Sequence, residues 1–336
     1  MALLFDWPLI TCAACSFIVC AAILWILLRT GWAWSLATDV PNARSLHTRP
    51  TPRVGGWGIV PAIILAIVVW APQFAWLAAG TAVLAAISQI DDRRGLSARV
   101  RFGAHAMVVI AMVLAYPAAA PWWQLAVLVV LLVWLINLYN FMDGMDGLAG
   151  GMTVLGFAAY ALAAWSIDPV LARTAAAVSA AGVAFLLFNF SPARIFLGDA
   201  GSIALGFLAG AVGYWGWRTG SWPFWFPAMV FAPFIADASV TLLKRLLRGQ
   251  KFWQAHREHY YQRMVRMGSS HAQVSLRWYL VMTVGIVIAL AAVRQNQASH
   301  WAALVCWMVI LCILGWRIDR RWLIFTRTEA RTEVSD

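Results

Sequence analysis

Eleven long apolar runs, separated by short gaps that hold nearly all of the charge, constrain this chain more than any other feature of its sequence. They fall at about 9–28, 57–72, 74–90, 102–117, 122–139, 148–165, 174–190, 202–216, 222–243, 276–293 and 300–317. A bilayer core needs about 20 apolar residues per helix, and in lipid only helices or closed barrels satisfy the backbone. The expectation is therefore an all-α polytopic membrane protein with about eleven transmembrane helices. Residues 1–317 form one transmembrane domain and 318–336 a tail. With 62% hydrophobic and 12% charged residues, the chain has about half the charge of a soluble domain. That excludes an ordinary soluble enzyme, and disorder requires the opposite balance.

Basic residues give the orientation. Of the 25 Lys and Arg, 22 fall in alternate gaps and the tail, and the other side holds Arg173, Arg218 and Arg294. The positive-inside rule places the rich side in the cytoplasm, with the N-terminus outside and the C-terminus inside. The net charge of +11 is thus a membrane signature, and no nucleic-acid partner is expected. The first run carries Asp6 and no basic leader, so it reads as a retained helix. Pro72 marks a tight hairpin. The five cysteines, including the Cys12/Cys15 pair, all lie in apolar runs and read as small packing residues. His105 reads as a hydrogen-bonded packing residue. Trp122, Trp123, Trp215, Trp217 and Trp222 fit an interfacial belt.

Most acids collect at the basic face, in or beside motifs. Asp91-Asp92 ends an apolar run, where two carboxylates are expensive to hold. A stop-transfer cluster would need only the arginines that follow, so a metal or a general base explains the pair better. In Asn137-Leu-Tyr-Asn140-Phe-Met-Asp143-Gly-Met-Asp146-Gly, a helical turn would put Asp143 and Asp146 on one side. A helix cap would need only one of them. Phe196-Leu-Gly-Asp199-Ala-Gly-Ser presents backbone N–H groups to an anion. Asp199 can there hold Mg²⁺ against a phosphate, with Arg194 flanking. The loop from Pro41 to Gly56 carries Arg44, His47, Arg49 and Arg53 among three prolines, which suits either a stiff linker or phosphate contact. The last large gap holds His256-Arg257-Glu258-His259, either a substrate-facing segment or a basic amphipathic helix lying on anionic lipid. Asp237 is the one acid well inside an apolar run and is a functional or paired residue by default. Carboxylates, glycines, arginines and histidines at one membrane face are what Mg²⁺-assisted phosphoryl transfer to a lipid-borne acceptor needs.

In this order, PNARSLHTRPTPRVGG, DDRRGLSARVRF, NLYNFMDGMDG, FNFSPARIFLGDAGS and HREHYYQR resemble the polyprenyl-phosphate N-acetylhexosamine-1-phosphate transferases. That family includes enzymes that start O-antigen synthesis and the muramoyl-pentapeptide transferase of peptidoglycan synthesis. The resemblance spans roughly 39–263. It implies transfer of a sugar 1-phosphate from a UDP-N-acetylhexosamine to undecaprenyl phosphate, with release of UMP, at the cytoplasmic face of a bacterial inner membrane. It implies Mg²⁺, with Mn²⁺ as an alternative, and it admits a homodimer. By resemblance, Asp91 and Asp92 position or deprotonate the lipid phosphate and Asp199 holds Mg²⁺ on the pyrophosphate. Asn137, Asn140, Asp143 and Asp146 line the nucleotide and metal region, with Asp143 a second metal ligand. His259 and Arg257 face the sugar-nucleotide phosphates, and Arg44, His47 and Arg53 are further residues of the same face.

The GlcNAc-type branch carries His-x-His-His where this chain has His259-Tyr260-Tyr261-Gln262, and the triple-His run of the peptidoglycan branch is absent too. The loop looks more like the branch that uses 6-deoxy sugars such as FucNAc or QuiNAc. A secondary transporter is the main rival, and it predicts acids near the bilayer midplane with broken spans in paired positions.

Overall fold

The computed structural model describes residues 6–41, 46–251, 254 and 256–333, with side chains as far as Thr328; the expectation for Arg44 lies outside them. The chain forms helices α1 (Trp7–Arg29), α2 (Trp32–Leu36), α3 (Gly55–Trp70), α4 (Ala75–Arg94), α5 (Ala98–Ala115), α6 (Trp122–Phe141) and α7 (Leu148–Ala164). There follow α8 (Pro169–Asn189), α9 (Asp199–Arg218), α10 (Trp225–Val230), α11 (Ala232–Leu247), α12 (Tyr260–Arg266), α13 (His271–Ala292) and α14 (Gln297–Glu333). Every apolar run is helical. Among the described residues, seven helical segments are long and apolar enough to cross a membrane: α1, Pro72–Arg94, α5, α6, α8, α13 and Gln297–Thr328. The chain is a polytopic helical membrane protein. The run at 222–243 is not one helix: it breaks at Phe231 into α10 and α11, with Pro233 in the first turn of α11. Proline lacks the N–H that would continue a helix through this point.

Helix starts follow local chemistry. Asp6 and Asp168 cap α1 and α8 through the amides of Leu9 and Leu171, each ahead of a proline in the first turn. Ser270 and Gln273 form a capping box at α13. Pro72–Phe74 is the tight turn between α3 and α4. The α1–α8 seam is a ladder with a four-residue period: Cys12, Ser16 and Cys20 donate to the carbonyls of Arg173, Ala177 and Ala181. Small side chains let the two backbones approach while supplying donors, which accounts for the cysteines at 12 and 20.

Two expectations are corrected. Trp222 is buried, stacked on Tyr160, and donates Nε1–H to the Gly213 carbonyl, so it belongs to the core and not to a belt. His105 is buried, but its Nδ1 has no hydrogen-bond partner among the described residues.

A small antiparallel ribbon, Thr38–Asp39 with Thr51–Pro52, departs from the all-helical reading. It matters because it straps residues 37–41 and 46–53 across the site. The Phe196 amide donates to the Pro52 carbonyl, and the Gly55 and Gly56 amides donate to Phe196 and Leu197. The starts of α3 and α9 therefore abut backbone to backbone. A Cβ on Gly56 would lie 2.5 Å from the Gly201 nitrogen. Gly56→Ala is expected to lower stability by about 1–3 kcal/mol in a detergent thermal melt. Gly103→Ala, whose Cβ would meet nothing within 4 Å, should be neutral or stabilising.

Candidate active site

The end of α6, the start of α9, the turn into α7 and the strapped residues 37–41 and 46–53 converge on one pocket of about 320 Å³. Its lining includes His47, Arg53, Asn140, Asp143, Asp146 and Asp199. All six are expected site residues, brought together from three segments spread over more than 150 positions of the chain.

Gly147 has φ +77° and Gly198 φ +74°, backbone conformations that favour glycine, and these two turns aim Asp143, Asp146 and Asp199 at the pocket. The Gly147 amide donates to Asn189 Oδ1 at 2.9 Å, and Tyr279 donates to the Gly147 carbonyl at 2.5 Å, so the turn is held on both sides. Burial, followed by the neighbouring Asp199, pushes the Asp143 carboxyl well above its ordinary range, and Arg53 only partly offsets them. Asp146 behaves oppositely. Burial raises it, but His271, 3.2 Å away, and the Ala193 amide, at 3.1 Å, outweigh burial and hold it below its ordinary range.

Asp91 and Asp92 end α4 beside this pocket without lining it. Asp91 accepts from the Leu96 amide at 2.7 Å and from Arg101 at 2.8 Å, which fixes the turn after α4. Asp92 lies 3.5 Å from Arg53, the side chain that also faces Asp143. Arg53 thus bridges the end of α4 to the pocket carboxylates.

Other expected residues sit elsewhere. Asn137 is buried and donates to the Val133 carbonyl within α6. Arg194 turns away to the Leu187 carbonyl and lies over the Phe188 ring. Arg257 is half-buried and outside the pocket lining. His259 is 4% exposed, stacked on Tyr261, and its Nδ1 lies 3.2 Å from Asp237. Asp237 also accepts from the amides of Tyr260, at 2.8 Å, and Tyr261, at 3.1 Å, and from Thr241 at 3.3 Å. One buried carboxylate thereby caps α12 and orients His259. The segment is no amphipathic helix lying on lipid, because Tyr260, Tyr261, Gln262 and Arg263 are all buried. His256 is pushed down to about 4 by burial and by the nearby His259, so it stays neutral.

The pocket also takes in residues that sequence reasoning passed over: Asp39, Gln262 and His271. His271 had a signal, a lone histidine directly after the Ser270 cap of an apolar helix at the basic face. Gln262 had only its place in the run where the GlcNAc-type branch carries a histidine, and its entry depends on how α12 docks.

The donor set can be tested for a divalent ion. Asp143 and Asp199 have no ion-pair partner within 4 Å among the described residues, whereas Asp91, Asp92 and Asp146 do. Among those residues, no group of three or more His, Cys, Asp or Glu could cage a metal. Two hard carboxylates, both held above their ordinary range first by burial, fit Mg²⁺ completed by phosphate oxygens, and do not fit a closed structural site.

Fold and site together define a helical membrane protein with a carboxylate-lined pocket where its helix ends meet. The sequence pattern of glycosyl transferase family 4 matches residues 74–216. The chain is similar to the "Decaprenyl-phosphate N-acetylglucosaminephosphotransferase" of Mycobacterium leprae (strain TN), 31% identical over 82% of this chain and 81% of the relative. It is also similar to a "Probable undecaprenyl-phosphate N-acetylglucosaminyl 1-phosphate transferase" of Bacillus subtilis (strain 168), 26% identical over 83% and 82%. A third relative is the "Phospho-N-acetylmuramoyl-pentapeptide-transferase" of Synechococcus sp. (strain JA-3-3Ab), 29% identical over 75% and 79%. The chain belongs to glycosyl transferase family 4.

Proposed function

We propose that this protein transfers an N-acetylhexosamine 1-phosphate from a UDP-sugar to undecaprenyl phosphate, releasing UMP, as the first membrane step of O-antigen or another cell-envelope polysaccharide. The observation that carries this reading is the gathering of Asp143, Asp146, Asp199 and Arg53 in one pocket, in a chain whose relatives are named as polyprenyl-phosphate sugar-phosphate transferases. In this reading the chain crosses a bacterial inner membrane eleven times, N-terminus outside and C-terminus inside. The pocket then faces the cytoplasm, where UDP-sugars are found.

A phosphate oxygen of the lipid attacks the sugar-bearing phosphorus, the P–O bond to UMP breaks, and a lipid diphosphate sugar forms. Mg²⁺, or Mn²⁺ in its place, would be held by Asp143 and Asp199 and would neutralise charge on the pyrophosphate. Asp91 and Asp92 position the lipid phosphate from the end of α4, and Arg53 neutralises the phosphates between them. Asn140, which takes a 2.8 Å hydrogen bond from Ser202, orients Asp199. His259 and Arg257 support the donor side through the docked α12. Gln262, in the pocket wall, stands where the GlcNAc-type branch carries a histidine and supports a donor that is GlcNAc or a 6-deoxy sugar such as FucNAc or QuiNAc. The transporter reading loses its main support, because Asp237 is fully engaged in capping α12.

The test is UMP release from membranes given undecaprenyl phosphate, Mg²⁺ and a panel of UDP-N-acetylhexosamines. Release that requires lipid and metal establishes the transferase, and the best donor names the sugar. No release from any donor by folded protein would overturn it.

Two further outcomes are expected. His271→Ala removes the partner of Asp146 and should raise KM for the UDP-sugar about tenfold or more, with a smaller change in kcat. Unchanged steady-state kinetics would remove His271 from the donor site. The second concerns pH. The Asp143 carboxyl is held above its ordinary range, so it retains its proton to higher pH than a free carboxylate, and a metal must displace that proton. The Mg²⁺ concentration for half-maximal activity should therefore rise as pH falls, beginning at higher pH than for a free carboxylate, and Asp143→Asn should flatten that dependence.

A further inference from the structure

A second cavity, of about 610 Å³, lies between α11, α12, α13 and α14 and shares no lining residue with the carboxylate pocket. Its composition is divided. One part is apolar, with Leu280 and Met308 more than half exposed. The other is basic, with Lys244, Arg277, Arg317 and Arg321. Lys244 is neutralised by Asp319, which also takes a 2.9 Å bond from Arg263. Among the described residues, Arg277 reaches only the Ser269 hydroxyl, at 3.1 Å. Arg317 and Arg321, one turn apart on α14, form no ion pair among the described residues. The other acid in the lining, Asp237, is committed to the amides of Tyr260 and Tyr261.

An apolar trough ending in uncompensated guanidinium groups at the basic face has the chemistry of a lipid with a negative headgroup. Basic pockets between membrane helices bind anionic headgroups in this way, and arginine takes phosphate in a bidentate manner. We propose that this groove is a binding site for an anionic bilayer phospholipid, with its phosphate at Arg277, Arg317 and Arg321 and an acyl chain along α13 and α14. The acceptor lipid is the wrong occupant, because its phosphate must react beside Asp143 and Asp199, and neither residue lines this groove. The bound lipid lies against Tyr260 at the start of α12, and Gln262, two residues on, lines the carboxylate pocket. Occupancy therefore steadies the short helix that closes one wall of that pocket.

The test reads lipid retention, which does not depend on the transferase reading. Full-length protein in dodecyl maltoside is given phosphatidylglycerol and phosphatidylcholine in equal amounts and examined by native mass spectrometry. Wild type should retain phosphatidylglycerol preferentially. Replacing both arginines (Arg317→Gln with Arg321→Gln) should cut that retention by about tenfold or more, the scale of two lost basic contacts. Gly315→Leu fills the groove itself. A Cβ at Gly315 meets nothing closer than the Tyr260 hydroxyl at 3.6 Å, and leucine is the better helix former. This variant should fold and lose the lipid. Equal retention of both lipids, or retention unchanged in both variants, would overturn the proposal. So would displacement of phosphatidylglycerol by undecaprenyl phosphate with the same arginine dependence, or a dimer that Gly315→Leu dissociates without loss of lipid.

Discussion

Asp199→Asn is expected to reduce UMP release by about 10³-fold, with the thermal midpoint unchanged or slightly raised. Asparagine keeps the shape of the side chain at the first position of α9 and keeps a partner for Asn140. What it removes is the charge. Two carboxylates face one small pocket without an ion-pair partner for either among the described residues. Such an arrangement weakens the folded state until a cation enters, so removing one charge relieves repulsion while removing the metal site. A loss of activity with intact stability separates a functional carboxylate from a structural one. Radiolabelled UMP release and a detergent melt on the same preparation check both halves. Activity within tenfold of wild type would take Asp199 out of the chemistry. The same preparation should show Asp143 titrating lower, because the neighbour that raises it has lost its charge.

Asp237→Asn should cost activity roughly 10- to 100-fold, the usual scale for a residue acting through another. It should also lower stability by about 1–3 kcal/mol, because a buried amide group then faces backbone donors. Asp237 accepts from two amides at the start of α12 and from Thr241, and it lies 3.2 Å from His259 Nδ1. The Tyr260 and Tyr261 amides each take a different oxygen of Asp237, so an asparagine, with one acceptor oxygen, must turn its NH₂ group towards one of two amides that cannot accept. The α12 cap loosens, and with it the placement of Gln262 in the pocket wall. Hydrogen exchange at the Tyr260 and Tyr261 amides reads the cap directly and should quicken, while Asp237→Glu should restore part of both activity and protection. Unchanged exchange together with unchanged activity would leave Asp237 without the positioning role described above.

Much of this was legible in the sequence. Apolar runs set the helices, because lipid leaves the backbone no partner but itself. Asp and Ser caps and the prolines set where the helices begin, because those effects reach only a few residues. The site motifs were legible for a related reason: Asp143, Asp146 and Asp199 stand beside glycines in short polar gaps between apolar runs, where a charge is costly without a use. His259 and Asn137 show the limit of such reading. Both belong to site-like motifs, yet His259 turns inward to Asp237 and Asn137 bonds back to its own helix. A motif gives residue type and spacing, while side-chain direction depends on the neighbour across the gap.

What the sequence by itself determined is the helical membrane architecture, the face that carries the charge and the acids worth suspecting, because burial of apolar length and local capping are properties of contiguous residues. Only the tertiary structure decided which acids share a pocket, that Arg53 joins the end of α4 to them, that His271 and Gln262 complete the wall, and that Asp237 holds α12 in place. Those choices depend on helices far apart in the chain meeting at their ends. There, hydrogen bonds such as those from Gly55 and Gly56 to the 196–197 backbone fix the register to within a single residue.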